Sequence, residues 1–230
     1  MTATMPLRTI SLFTYRTKGG GWTAAQLGVL EFVHALKKQD LEGTARVLVK
    51  GGEATRRLAA QNASDAFDWF AEMVVPLLRE ELATTKVVLV PIPDCGCTED
   101  VIESRTNALA IAVARQEGAV VVSDILRWRR RMPPARSGQG ARDPVSIYQN
   151  LRLRSDWRPV SRPYVLVDDV VTTGGHLRAC AAFLHDHGAR VERAICAAKS
   201  DTDPPEDPFG RRVDELPDFN MPRHLPRQIW

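Results

Sequence analysis

Cysteine is scarce in this 230-residue chain, long apolar runs are missing, and the net charge is small. The four cysteines, Cys95, Cys97, Cys180 and Cys196, are too few for a disulfide scaffold. Only the first two are close, and C-x-C without a second pair is not a zinc-ribbon spacing. A reducing, cytoplasmic setting is therefore expected. No window approaches the roughly 18 uninterrupted apolar residues of a membrane span, so no membrane partner is expected. The start, MTATMPLRTISLF, lacks a basic segment followed by a long apolar run, which argues against a secretory leader. No internal repeat of 20–50 residues is present. With 44% hydrophobic and 26% charged residues, the composition is that of a soluble globule and excludes wholesale disorder, a collagen-like repeat and a coiled-coil rod. The formal charge of +3 allows contact with polyanions without demanding it.

Periodicity divides the chain. Residues 22–38 (WTAAQLGVLEFVHALKK) carry helical spacing after a Gly19-Gly20-Gly21 turn, and Asp65 to Leu82 reads as a second amphipathic helix. Asp65 is the expected N-cap of that second helix, and Pro76 is a point of kinking or division. Then the pattern changes. KVVLVPI (86–92), AVVVS (119–123) and YVLV (164–167) are short, nearly unbroken apolar runs, as expected of strands buried on both faces, and 191–198 reads as a fourth strand. Helical stretches at 101–117 and 176–187, closed by Gly118 and Gly188, separate them. Strand, helix and strand in this order predict an α/β fold, a parallel sheet flanked by helices. From Ser200 onward six prolines and little periodicity predict an ordered arm or a flexible extension.

The segment that carries chemistry is VLVDDVVTTGG, Val165 to Gly175. A buried strand runs into Asp168 and Asp169, and a Thr-Gly-Gly turn then opens a helix. Ligands of open parallel sheets sit beyond the carboxyl ends of the strands. A helix start offers unpaired N–H groups and a favourable dipole to an anion. Gly174 and Gly175 remove Cβ atoms that would keep a phosphate from the backbone, and Thr172 and Thr173 add hydroxyl donors. The two carboxylates, which accept but do not donate, suit vicinal sugar hydroxyls.

VLVDDVVTTGG resembles the phosphoribosyl pyrophosphate (PRPP) motif of the type I phosphoribosyltransferases. A narrower likeness, to the ComF-type (competence-protein-F-like) branch, rests on order. VHALKK (33–38), VPIP (90–93), SRTNALA (104–110) and RWRRRMPPARSGQ running on to Asn150 stand in the branch's sequence of segments. Coverage is roughly residues 30–200. The chain departs from that branch in having no N-terminal zinc ribbon, in an Arg-Thr-Asn one residue short of the usual spacing, and in His176 where threonine is common.

This resemblance implies a phosphoribosyltransferase-type fold with an N-terminal helical region. It gives residues 1–85 as a helical part packed on the core, 86–200 as the PRPP-binding α/β core and 201–230 as a Pro-rich tail, together one structural domain. It implies displacement of pyrophosphate from C1 of PRPP by a nucleobase-like acceptor. Asp168 and Asp169 would hold ribose hydroxyls and magnesium, and Thr172, Thr173, Gly174, Gly175 and His176 the 5′-phosphate. Pro93, Asp94, Cys95, Gly96 and Arg105 would hold pyrophosphate, and Arg129 and Arg130 would offset leaving-group charge. Enzymes acting on 6-oxopurines carry Asp where this chain has Thr172, which lowers the expectation of hypoxanthine or guanine. Turnover and mere binding of PRPP both stay open, as does a homodimer.

Six arginines (127, 129, 130, 131, 136 and 142) fall in one Pro- and Gly-containing stretch. Its composition predicts a mobile loop over the ligand edge, with guanidinium forks suited to pyrophosphate. The same loop, with Trp128 as a stacking surface, would suit single-stranded DNA. That is the alternative reading, a non-catalytic accessory protein of DNA uptake or processing. Cys95 and Cys97 read as small residues of a tight loop, or as half of a metal or redox site. His185-Asp186-His187 reads as a dipole-favoured helix end rather than a metal pair.

Overall fold

Val88 and Val90 turn to one side of the sheet and Val87 and Leu89 to the other, and all four are buried. This is why the run reads as uniformly apolar. The computed structural model describes residues 6–17, 20–41, 43–49, 54–99, 104–133, 143–203 and 205–219. Six strands form the central sheet: β1 (Leu7–Arg16), β4 (Val88–Pro91), β5 (Val121–Val122), β8 (Tyr164–Val171), β9 (Val191–Asp201) and β10 (Arg212–Leu216). Their order is β10-β1-β9-β8-β4-β5. All neighbours are parallel except β10, which pairs antiparallel with β1.

Helices α1 (Ala24–Leu36), α2 (Asp65–Leu82) and α3 (Arg105–Gln116) cover one face through Phe32, Phe70 and Leu109. The hairpin β2 (Thr44–Val49) and β3 (Ala54–Ala59) joins that layer through Val47, Val49 and Leu58. The other face is covered by α4 (Pro144–Asn150), α5 (Gly175–Asp186) and the antiparallel pair β6 (Leu126–Trp128) and β7 (Leu151–Leu153). The α/β expectation, a mostly parallel sheet with helices on both faces, holds.

Four local expectations are corrected. Residues 7–16 are not part of a helical layer. Alternate side chains of β1 pack toward opposite faces, Leu7 toward one and Ile10 and Leu12 toward the other, so the strand belongs inside the sheet. The N-cap of α2 is Ser64, without a side-chain bond, while Asp65 and Asp68 lie in the first turn, where negative charge suits the dipole. Pro76 does not divide α2, which runs from Asp65 to Leu82 as one element; it lies on the exposed side, where the carbonyl it leaves unpaired can meet water. The strand read at 119–123 shrinks to Val121–Val122 at the sheet's edge. Within the Pro-rich segment, Arg212–Leu216 supplies the outer strand of the sheet.

Candidate functional site

The carboxyl ends of β4 and β8 lie side by side, with Pro91 opposite Val167 in the parallel register. The loop after β4 and the Asp-Asp-containing end of β8 therefore share one edge. Asp168 Oδ1 accepts from the Asp169 N–H at 2.8 Å, and Asp169 Oδ1 accepts from the Val170 N–H at 2.6 Å. Burial and the neighbouring Asp169 push the Asp168 carboxyl well above the usual carboxylate range. Asp169 is 9% exposed, and its Oδ2 has no hydrogen-bond partner.

Beyond β8 the turn leads into α5 with Gly174 as N-cap at φ +75°, and no side chain caps the helix. The leading N–H groups of α5 thus lack a side-chain acceptor. Thr172 and Thr173 are exposed, whereas Gly174 and Gly175 are buried. Space at Gly174 is taken by protein: a Cβ there would come within 2.5 Å of Leu216 Cδ1. The turn is thus open on the threonine side and closed by β10 behind Gly174, so the missing Cβ of Gly174 makes room for Leu216 and not, as expected, for a phosphate. Lys199 on β9 pins it, its Nζ donating to the Thr172 carbonyl at 2.9 Å. His176 is half-buried, burial pushes its pKa down, and its ring meets Trp128 edge-on at 5.9 Å.

In the loop after β4, Pro93 is buried and Asp94, Cys95 and Gly96 are half-buried. Arg105, the first residue of α3, reaches both acidic segments. Its Nη2 donates to Asp94 Oδ1 at 3.0 Å, and its Nη1 lies 3.7 Å from Asp169 Oδ2. Arg105, Asp94 and Asp169 are therefore one charged network, assembled from residues far apart in the chain.

The described part of the arginine stretch, residues 127–133, is more structured than its composition predicts. Arg127 is 3% exposed in β6 and makes a bidentate pair with Asp124 at 2.7 and 2.9 Å. It is a buried structural cation, not part of a mobile loop. Trp128 is 1% exposed, and its indole N–H donates to the Asp94 carbonyl at 2.8 Å. It offers no stacking surface, because the apolar layer beneath α5 encloses the ring. The backbone from 128 to 132 runs beside the β4 loop, with the Trp128 N–H on Cys97 O and the Met132 N–H on Cys95 O. Arg129 Nε donates to Leu151 O, and Arg130 and Arg131 are exposed. Arg136 and Arg142 lie outside the described residues.

Burial pushes the Cys97 thiol up, which disfavours a thiolate ligand. Among the described residues no three His, Cys, Asp or Glu side chains converge as a metal site. A cation at Asp168 and Asp169 would thus take its remaining oxygens from substrate and water, as magnesium commonly does. The buried Oδ2 of Asp169, which has the Arg105 guanidinium at 3.7 Å but no hydrogen-bond partner, fits that demand. Asp186 accepts from the Tyr148 hydroxyl and His187 Nδ1 lies on the Phe183 carbonyl, a helix end tied to its neighbours. Sequence reasoning missed Lys199 and Leu216. The first was visible only as a cation interrupting an apolar strand, and the second lay in a segment read as aperiodic. Among the described residues no helix is long and apolar enough to cross a membrane.

No family model matches the chain, and neither does any curated protein sequence. Solved structures similar to it include adenine phosphoribosyltransferase from Saccharomyces cerevisiae, at 15% identity and a TM-score of 0.43, covering 74% of this chain and 89% of that one. UMP synthase from Leishmania donovani is similar at 12% identity and a TM-score of 0.40, covering 79% of this chain and 32% of that one. A hypoxanthine phosphoribosyltransferase from Staphylococcus aureus is similar at 8% identity and a TM-score of 0.37, covering 58% and 72%. At these identities and TM-scores the likenesses do not by themselves assign the chain to a family.

Proposed function

We propose that the chain binds PRPP at the carboxyl edge of its sheet and transfers the phosphoribosyl group to a nucleobase-like acceptor, releasing pyrophosphate. The observation that carries this reading is the placement of Asp168 and Asp169 directly before an uncapped helix start with two exposed threonines. A sugar phosphate offers hydroxyls to the first feature and a phosphate to the second. The N–H groups leading into α5 and the Thr172 and Thr173 hydroxyls bind the 5′-phosphate. Asp168 and Asp169 accept from the ribose hydroxyls. The loop of Pro93 to Gly96, with Arg105, faces the pyrophosphate, and Arg129 and Arg130 stand beside that loop.

In the transfer, the C1–O bond to pyrophosphate breaks and a bond from C1 to the acceptor nitrogen forms. The electron pair leaves with pyrophosphate, and the acceptor proton passes to solvent. Guanidinium groups beside the leaving group favour the charge that develops there. Magnesium, held by Asp168 and Asp169 with ligand oxygens, would supply further charge neutralisation at the diphosphate. Its fit is supported by the buried Asp169 Oδ2, which accepts no hydrogen bond. The ComF-type resemblance belongs to this reading as its narrower form.

Calorimetric titration of the full chain with PRPP and magnesium tests the proposal, followed by a nucleobase screen for pyrophosphate release. Saturable, magnesium-dependent binding that Asp168→Asn/Asp169→Asn removes is the expected result. PRPP affinity unchanged in that double variant would overturn the assignment.

A further inference from the structure

Asp94 and Arg105 are eleven residues apart, on the loop after β4 and at the start of α3. The Asp94 carboxylate holds the guanidinium as a fork. Oδ2 accepts from the Arg105 Nε at 3.2 Å and Oδ1 from Nη2 at 3.0 Å. Oδ2 also accepts from the Arg105 backbone N–H at 2.8 Å. Two parallel N–H···O bonds to Nε and Nη2 are the geometry in which a guanidinium grips a phosphoryl group. On its far side Arg105 Nη1 lies 3.7 Å from Asp169 Oδ2, which has no hydrogen-bond partner. The loop itself is anchored: Trp128 Nε1 donates to the Asp94 carbonyl and the Met132 N–H to the Cys95 carbonyl. With the loop backbone held, the freedom left at this junction is in the side chains, above all in the guanidinium of Arg105. Asp94 is 18% and Arg105 33% exposed in the side chain, so the pair borders solvent and a ligand can reach it.

We infer that Asp94 is a latch that occupies the phosphoryl-binding fork of Arg105 and gives way to the diphosphate of the ligand. The inference rests on the PRPP reading for the identity of that ligand. With the latch released, the fork passes from one anion to another, and Asp94 Oδ2 keeps the Arg105 backbone N–H, so the start of α3 stays in place. Displacing a bound carboxylate makes the grip on diphosphate weaker than it would otherwise be. Asp94 thereby sets how strongly the site holds a diphosphate, and so how readily it lets pyrophosphate go. A group bearing only the 5′-phosphate does not engage the latch.

The test is a calorimetric cycle on the full chain with inorganic pyrophosphate and magnesium, and in parallel with ribose 5-phosphate. Asp94→Asn keeps an oxygen for the Arg105 backbone N–H while removing the charge that holds the guanidinium. It is expected to bind pyrophosphate about tenfold tighter than the parent, the size of one coupled contact. Its affinity for ribose 5-phosphate is expected to be unchanged. In an Arg105→Lys background, where the fork is gone, Asp94→Asn should give no gain. Unchanged or weaker pyrophosphate binding by Asp94→Asn overturns the latch. A gain of the same size in the Arg105→Lys background also overturns it, since that is bulk charge alone. Failure of the parent to bind ribose 5-phosphate and PRPP, with the pyrophosphate pattern intact, removes the PRPP reading and leaves the latch standing.

Discussion

The indole N–H of Trp128 donates to the backbone carbonyl of Asp94 at 2.8 Å. This bond joins the arginine-bearing segment to the loop that would face pyrophosphate. Trp128→Phe keeps most of the buried ring and removes the donor, leaving the Asp94 carbonyl short of a partner. The expected loss is about 1–3 kcal/mol of stability, read by denaturant unfolding. Pyrophosphate affinity should fall with it, because the loop loses its anchor.

Gly174 and Leu216 form the second relationship that tests the site. At φ +75° a side chain is strained, and a Cβ would press on Leu216. Gly174→Ala should cost about 1–2 kcal/mol from the left-handed backbone alone. Because the contact is with the end of a flexible side chain, Leu216→Ala should relieve the steric part. The double variant is expected to lose less stability than the sum of the two singles. Strict additivity in thermal unfolding would contradict the packing of β10 on the turn.

Asp168 gives a pH signature. Its folded-state pKa lies above the ordinary aspartate value because of burial and Asp169. The folded state therefore holds a proton that the unfolded chain has released. The contribution to stability is fully present below the unfolded pKa and is lost as pH rises from there through the raised folded pKa. Asp168→Asn should consequently raise the melting temperature more at pH 7–8 than at pH 4, while abolishing ribose 5-phosphate binding. Equal effects at both pH values would show that the carboxyl is not strained by its surroundings.

Arg127 and its neighbours should separate cleanly. Arg127 is buried on the half-buried Asp124, and Arg127→Ala removes both halves of the fork from that carboxylate, a loss of about 1–3 kcal/mol. Replacing Arg129, Arg130 and Arg131 together with alanine should cost only about 1 kcal/mol of stability, mainly through the lost Arg129 bond to the Leu151 carbonyl. It should lower kcat for pyrophosphate release by more than about tenfold with a modest change in KM for PRPP, as expected where contact matters most in the transition state. A triple variant with parental kcat would remove these arginines from the reaction.

Local sequence determined much of this protein. Apolar runs at 88–91 and 164–167 could only be strands buried on both faces. Asp168-Asp169 followed by Thr-Thr-Gly-Gly placed an anion-suited helix start after one of them. Gly188 at φ +89° stopped α5 where the pattern ended. These features depend on periodicity and backbone chemistry within a dozen residues, which is why they could be read directly. What the tertiary structure alone decided are contacts between distant segments. The insertion of residues 7–16 between β9 and β10, the closing of Gly174 by Leu216 and the bridge of Arg105 from Asp94 to Asp169 have no local signature. The arginine stretch shows the physical reason. Composition treats Arg127, Arg129, Arg130 and Arg131 alike, whereas pairing of β6 with β7 buries the first against Asp124 and leaves the last two in solvent. Charge is a property of the residue, but burial and partner are properties of the fold.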